Sequence, residues 1–126
     1  MAAGNWVPEL VELAGGVNLF GRPGLHSPWM DWDELTASDP DSIVVTPCGF
    51  DLPRTQSEMY WLTQRPQWSS LRAVRDGRVF LVDGNQYMNR PGPRIVESLQ
   101  ILAEILHPEA FEPSLRGSAW QPWPAA

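Results

Sequence analysis

The feature that most constrains this chain is a succession of three segments: the apolar run Val79-Phe80-Leu81-Val82, the loop Asp83 to Arg94, and a helical pattern from Pro93 to Leu106. Four consecutive apolar, β-favouring residues predict a short buried strand. In the last segment Val96, Leu99, Leu102, Ala103 and Leu106 recur at helical spacing, Pro93 suits a first turn, and His107-Pro108 ends the run. Strand, loop and long amphipathic helix place the chain among α/β folds. In open α/β sheets, ligands collect where loops leave the carboxyl ends of strands. The loop here carries amides (Asn85, Gln86, Asn89), a phenol (Tyr87), a guanidinium (Arg90) and a stiff Pro91-Gly92-Pro93 backbone. It reads as a binding rim, and it points to capture rather than bond-breaking chemistry.

Upstream, Asn5 is a candidate N-cap for a helix over 6–14 that Gly15-Gly16 would stop. A second helix is predicted over Trp32–Ala37, with Asp31 as N-cap and Glu34 at the capping-box position. Ile43-Val44-Val45 is the clearest strand, and Thr46-Pro47-Cys48-Gly49-Phe50 is the loop leaving it. Residues 55–64 look helical, Pro66 ends them, and Trp68–Leu71 suggests a turn. Beyond Glu112 the Pro- and Trp-rich residues 112–126 are expected to form an irregular tail, apart from a domain over 1–111. The order of elements predicts a Rossmann-like three-layer α/β lobe with a small, mostly parallel central sheet. Two strands make a poor sheet, and an α/β lobe normally opens with a strand before its first helix. The chain reads as if entered midway.

A chain of 126 residues, 43% hydrophobic and 19% charged, is a globular domain of ordinary size. A net charge of −6, nine scattered arginines and no lysine argue against nucleic acid or an anionic membrane as partner. One cysteine excludes an internal disulfide. No leader-like segment opens the chain and no apolar run is long enough to span a bilayer, so as written it would be cytoplasmic. There is no glycine-rich phosphate loop and no Cys/His set at zinc spacing.

Several segments, in order, carry a family resemblance: Gly4-Asn5-Trp6-Val7-Pro8-Glu9-Leu10, Ala14-Gly15-Gly16, Asp39-Pro40-Asp41 before a strand, Pro47-Cys48-Gly49-Phe50, and Asn89-Arg90-Pro91-Gly92-Pro93-Arg94. Together they resemble the carboxyl-terminal lobe of cobalamin-binding proteins of ABC importers. That class of periplasmic binding proteins has a helical backbone joining two lobes and also captures iron-siderophores and haem. The resemblance runs from Ala3 to about Phe111, with the Cys-Gly-Phe and Asn-Arg-Pro-Gly-Pro-Arg segments its most specific parts. It implies two α/β lobes with a corrinoid in the cleft between them, and so an amino-terminal lobe, a linking helix and a first strand that are absent here. It also implies an extracytoplasmic location, a permease partner and no catalysis.

A corrinoid is a broad, flat macrocycle fringed by amides, so its pocket needs aromatic faces and polar groups but no protein ligand to the metal. Phe50, Asn85, Gln86, Tyr87 and Arg90 offer that mixture. By resemblance, Gln86 stands where relatives place an Asp, Arg90 matches an Arg and Tyr87 an aromatic, while Met88 stands where Phe is common. Asp33, with Glu34 beside it, falls where relatives carry an acidic residue that pairs with permease arginines; an acidic first turn favoured by the helix dipole is the plainer explanation. Arg94 begins a helix and is read as structural. Glu97 and Glu104 are read as one exposed, solvated stripe of the last helix.

Three rivals stay open. Cys48 would be a nucleophile or redox thiol in an enzyme, with only His26 and His107 as bases. The acidic face and the tryptophans would dock a protein partner without any corrinoid. The lobe would bind haem or an iron-siderophore instead.

Overall fold

The computed structural model describes residues 7–20, 31–47, 49–85 and 95–123. Helices α1 (Val7–Leu13) and α2 (Trp32–Ser38) precede strand β1 (Ile43–Val45). Helices α3 (Leu52–Glu58) and α4 (Tyr60–Thr63), a 3-10 turn (Trp68–Ser70) and the short α5 (Arg72–Arg75) lead to β2 (Val79–Val82). Then come α6 (Ile95–Leu106) and β3 (Trp120–Trp123). The sheet has three strands in the order β1-β2-β3. β1 and β2 are parallel, with Ile43 opposite Val79 and Val45 opposite Leu81. β3 is antiparallel, with Val82 opposite Trp120.

Strand alternation sends successive side chains to opposite faces, and two cores result. Phe80, Val82 and Trp120 pack with Leu10 and Ala14 and with Ile101, Leu102 and Ile105 of α6. Val79 and Leu81 pack on the other side with Leu52, Met59, Trp68 and Leu71. All four residues of β2 are buried, as a central parallel strand covered on both faces requires. The three-layer α/β arrangement expected from the sequence is therefore the one observed.

Local chemistry sets the helix ends. Asp31 caps α2 by accepting the Glu34 amide at 2.8 Å. Asp51 caps α3 in the same way, accepting the Arg54 amide at 2.9 Å, with Pro53 in the first turn. That cap starts α3 at Leu52, three residues before the expected start, and Asp-Leu-Pro was its readable signal. α1 stops at Gly15, whose φ of +90° suits glycine and where a Cβ would lie 2.6 Å from His107 Nε2. His107 itself donates to the Ala14 carbonyl at 2.8 Å, tying the ends of α1 and α6 together.

Two expectations are corrected. Residues 112–123 are not an irregular tail set apart from the domain, because they deliver the third strand, and Ala119 and Trp120 are buried in the core. Pro122 is tolerated because β3 is an edge strand. The Trp120 carbonyl accepts from Gly117 on the side away from β2, so by alternation Pro122 also turns its missing donor outward. Glu104 is not solvated either; it is 1% exposed. Its Oε1 accepts from the Leu115 amide (3.1 Å) and Trp120 Nε1 (3.0 Å), and its Oε2 from Gln100 Nε2 (3.0 Å). This carboxylate anchors the segment that leads into β3, and each lone-pair direction it uses replaces water lost on burial.

Candidate functional site

The carboxyl ends of β1 and β2 lie side by side in a parallel pair, so the segments that leave them, 46–50 and 83–85, emerge at one edge of the sheet. They are joined by backbone. The Phe50 carbonyl accepts both the Gly84 amide (2.9 Å) and the Asn85 amide (3.2 Å). A Cβ on Gly84 would sit 2.1 Å from the Pro47 carbonyl oxygen and 2.9 Å from its carbon, so only glycine permits this approach. Asp83, 4% exposed, accepts the Asn85 amide on Oδ1 at 3.0 Å, while its own amide donates to Ala119 O at 2.9 Å. The start of β3 thus joins the same edge.

Phe50 and Asn85, two of the residues singled out in the sequence, lie together at this edge. Phe50 is half-buried, with the Arg54 guanidinium 4.0 Å above its ring centroid, and Asn85 is exposed. A cation above the ring exploits the negative potential of the aromatic face. Gln86, Tyr87 and Arg90 lie outside the described residues, as do Cys48 and His26. Asp33 and Glu34 are exposed in the first turn of α2. They face solvent, and no described contact links them to the rim.

Two depressions flank the junction. One, about 330 Å³, is apolar and lined by Val45, Pro47, Phe50, Met59, Trp61 and Leu62, with Glu58 at its margin. The Glu58 carboxylate accepts from Trp61 Nε1 at 2.8 Å. The other, about 270 Å³, is polar, with Asp51, Gln56, Asp83, Ser118 and Gln121 among its walls. Both are open rather than enclosed, and their volumes lie at the lower end of those of ligand pockets. Among the described residues, no three His, Cys, Asp or Glu side chains are grouped to hold a metal ion. His107, held by the Ala14 carbonyl where α1 and α6 end, is not part of this edge.

Asp83 and Gly84 had not been singled out as site residues. Their signal was an Asp-Gly pair placed immediately after a wholly apolar strand, where a carboxylate can bond the backbone two residues on.

With this geometry described, comparison with known proteins gives a consistent answer. Over 80 residues, 64% of the chain, it is 34% identical to an uncharacterized ABC transporter substrate-binding lipoprotein, YvrC, of Bacillus subtilis, covering 23% of that protein. An ABC transporter substrate-binding protein from Listeria monocytogenes superposes with a TM-score of 0.70 at 22% identity, over 81% of this chain and 40% of that one. A periplasmic binding protein from Veillonella parvula gives 0.61 at 25% identity, over 80% of this chain and 35% of that one. The chain has the fold of one part of a substrate-binding protein. The TroA-like periplasmic binding protein FepB from Veillonella parvula agrees, with a TM-score of 0.61 at 18% identity over 86% of this chain and 34% of that one. No family model matches. The chain spans about a quarter of the length of the curated relative and 34–40% of the solved ones. Among the described residues, no helix is long and apolar enough to cross a membrane.

Proposed function

We propose that the chain is a corrinoid-binding lobe of an ABC importer's substrate-binding protein, a non-catalytic element that captures its ligand outside the cytoplasm and hands it to a permease. The observation that carries this reading is the double hydrogen bond from Gly84 and Asn85 to the Phe50 carbonyl. It fuses the two strand-exit segments into one rigid wall, with an aromatic ring and an amide on the same edge. A preformed wall lowers the ordering cost of binding. A flat, amide-fringed macrocycle suits an open edge with small depressions better than a compact ligand that must be enclosed. The segment leaving Asn85 supplies Gln86, Tyr87 and Arg90, the residues matched by resemblance to corrinoid contacts. The exposed Asp33 and Glu34 are the proposed contacts to permease arginines.

Titration with cyanocobalamin, followed by the corrin absorption bands and by tryptophan fluorescence, tests the proposal. The expected result is saturable binding with a dissociation constant on the order of 0.1 mM or tighter, about −5.5 kcal/mol. It should weaken in Phe50→Ala. Parallel titrations with haemin and a ferric siderophore should respond less. No saturable change with cyanocobalamin, or tighter binding of either iron ligand, overturns the corrinoid assignment.

A further inference from the structure

We infer that Asp83 and Gly84 are the positioning residues of this site, holding Asn85 against the segment that leaves β1; this rests on the corrinoid reading for its ligand but not for its geometry. The chain's path is fixed at three consecutive residues. Asp83 is held to the neck of β3 through its amide and Ala119 O (2.9 Å). Gly84 is held to the β1-exit loop through its amide and Phe50 O (2.9 Å). It is also pressed so close to Pro47 that no side chain can be added. The Asn85 amide is shared between Phe50 O (3.2 Å) and Asp83 Oδ1 (3.0 Å).

The carboxylate oxygen serves Asn85 as an acceptor two residues back, which closes a local turn. Asp83 is almost fully buried, whereas Asn85 is exposed. A buried side chain therefore holds the backbone of an exposed residue in place, the arrangement expected when second-layer hydrogen bonds order a ligand-contacting loop. For the Asn85 amide the role asks for an acceptor oxygen at this position, which Asn also supplies. Substitution by Asn and by Ala therefore tests it.

Two measurements test it separately from ligand identity. Hydrogen exchange on the ligand-free protein should show the Gly84 and Asn85 amides protected, despite their place at the start of a loop. Asp83→Asn, which keeps an oxygen at the same reach, should leave Asn85 protected, and Asp83→Ala should speed its exchange about tenfold or more. In cyanocobalamin titrations Asp83→Ala should weaken binding about tenfold while Asp83→Asn stays within about threefold of the parent. Unprotected Gly84 and Asn85 amides in the parent protein overturn the inference, and that observation needs no variant to fold. Equal corrinoid affinity of Asp83→Ala and parent also overturns it while leaving the ligand assignment standing. Exchange that follows the expected order in a protein that binds no corrinoid upholds the positioning role and removes only the ligand assignment.

Discussion

Two segments reach the sheet from outside its regular ladder, and they are held by different means. The 112–120 segment is anchored by a side chain: the buried Glu104 carboxylate accepts from Leu115 and Trp120. The junction of 47–50 with 83–85 is anchored by backbone: Phe50 O accepts two amides and the Pro47 carbonyl packs on a bare Cα. A side-chain anchor can be imitated by another residue with an oxygen at the same reach. A backbone anchor depends on the absence of a side chain, so almost any substitution damages it. The contrast places the least replaceable contact of the described chain at the edge proposed to bind ligand.

The largest effect that would break this comparison is expected at Gly84. In Gly84→Ala the added Cβ meets backbone at 2.1 Å, where nothing flexible can give way. One of the two exit segments must move, and both amide bonds to Phe50 are put at risk. The expected cost is roughly 3–4 kcal/mol of folding stability, measured by urea unfolding. A cost below about 1 kcal/mol would mean the two loops yield easily and that backbone anchoring is not special.

Glu104→Gln sharpens the other half of the comparison. The amide keeps the volume and one acceptor oxygen for the Leu115 amide and Trp120 Nε1, while its NH₂ faces Gln100, whose own amide must flip to accept. A stability loss of about 1–2 kcal/mol is expected from replacing charge-assisted bonds with neutral ones. Near-ultraviolet circular dichroism should report it as a change at Trp120. If Glu104→Gln costs as much as Gly84→Ala, the distinction between replaceable and irreplaceable anchors fails.

Much of the frame was legible because it is local. Ile43–Val45 and Val79–Val82 declared themselves by β-branched apolar runs, Asp31 by its capping position, and α6 by its period. The parallel pairing that brings Phe50 beside Asn85 followed from the α/β order. What escaped depends on partners distant in sequence. β3 hides in Trp120-Gln121-Pro122-Trp123, where a proline argues against a strand until the edge position is known. Glu104 shares a helix stripe with Glu97 and looks solvated until residues 114–120 fold over it. Gly84 was visible as a glycine, but its reason, the Pro47 carbonyl, lies 37 positions upstream.

The smallest expected effect is at Gln121, whose Nε2 donates to Gln56 Oε1 at 3.0 Å across an exposed part of the polar depression. Like the Glu104 contacts it is a side-chain tie between β3 and a helix, here α3, but water can replace either partner. Gln121→Ala should therefore change unfolding free energy by no more than about 0.5 kcal/mol. Set beside Glu104→Gln, it separates burial from mere bond count as the source of anchoring strength in the 112–123 segment. A loss of 2 kcal/mol or so at Gln121 would mean that β3 is held mainly from the α3 side, and that Glu104 only completes an attachment already made.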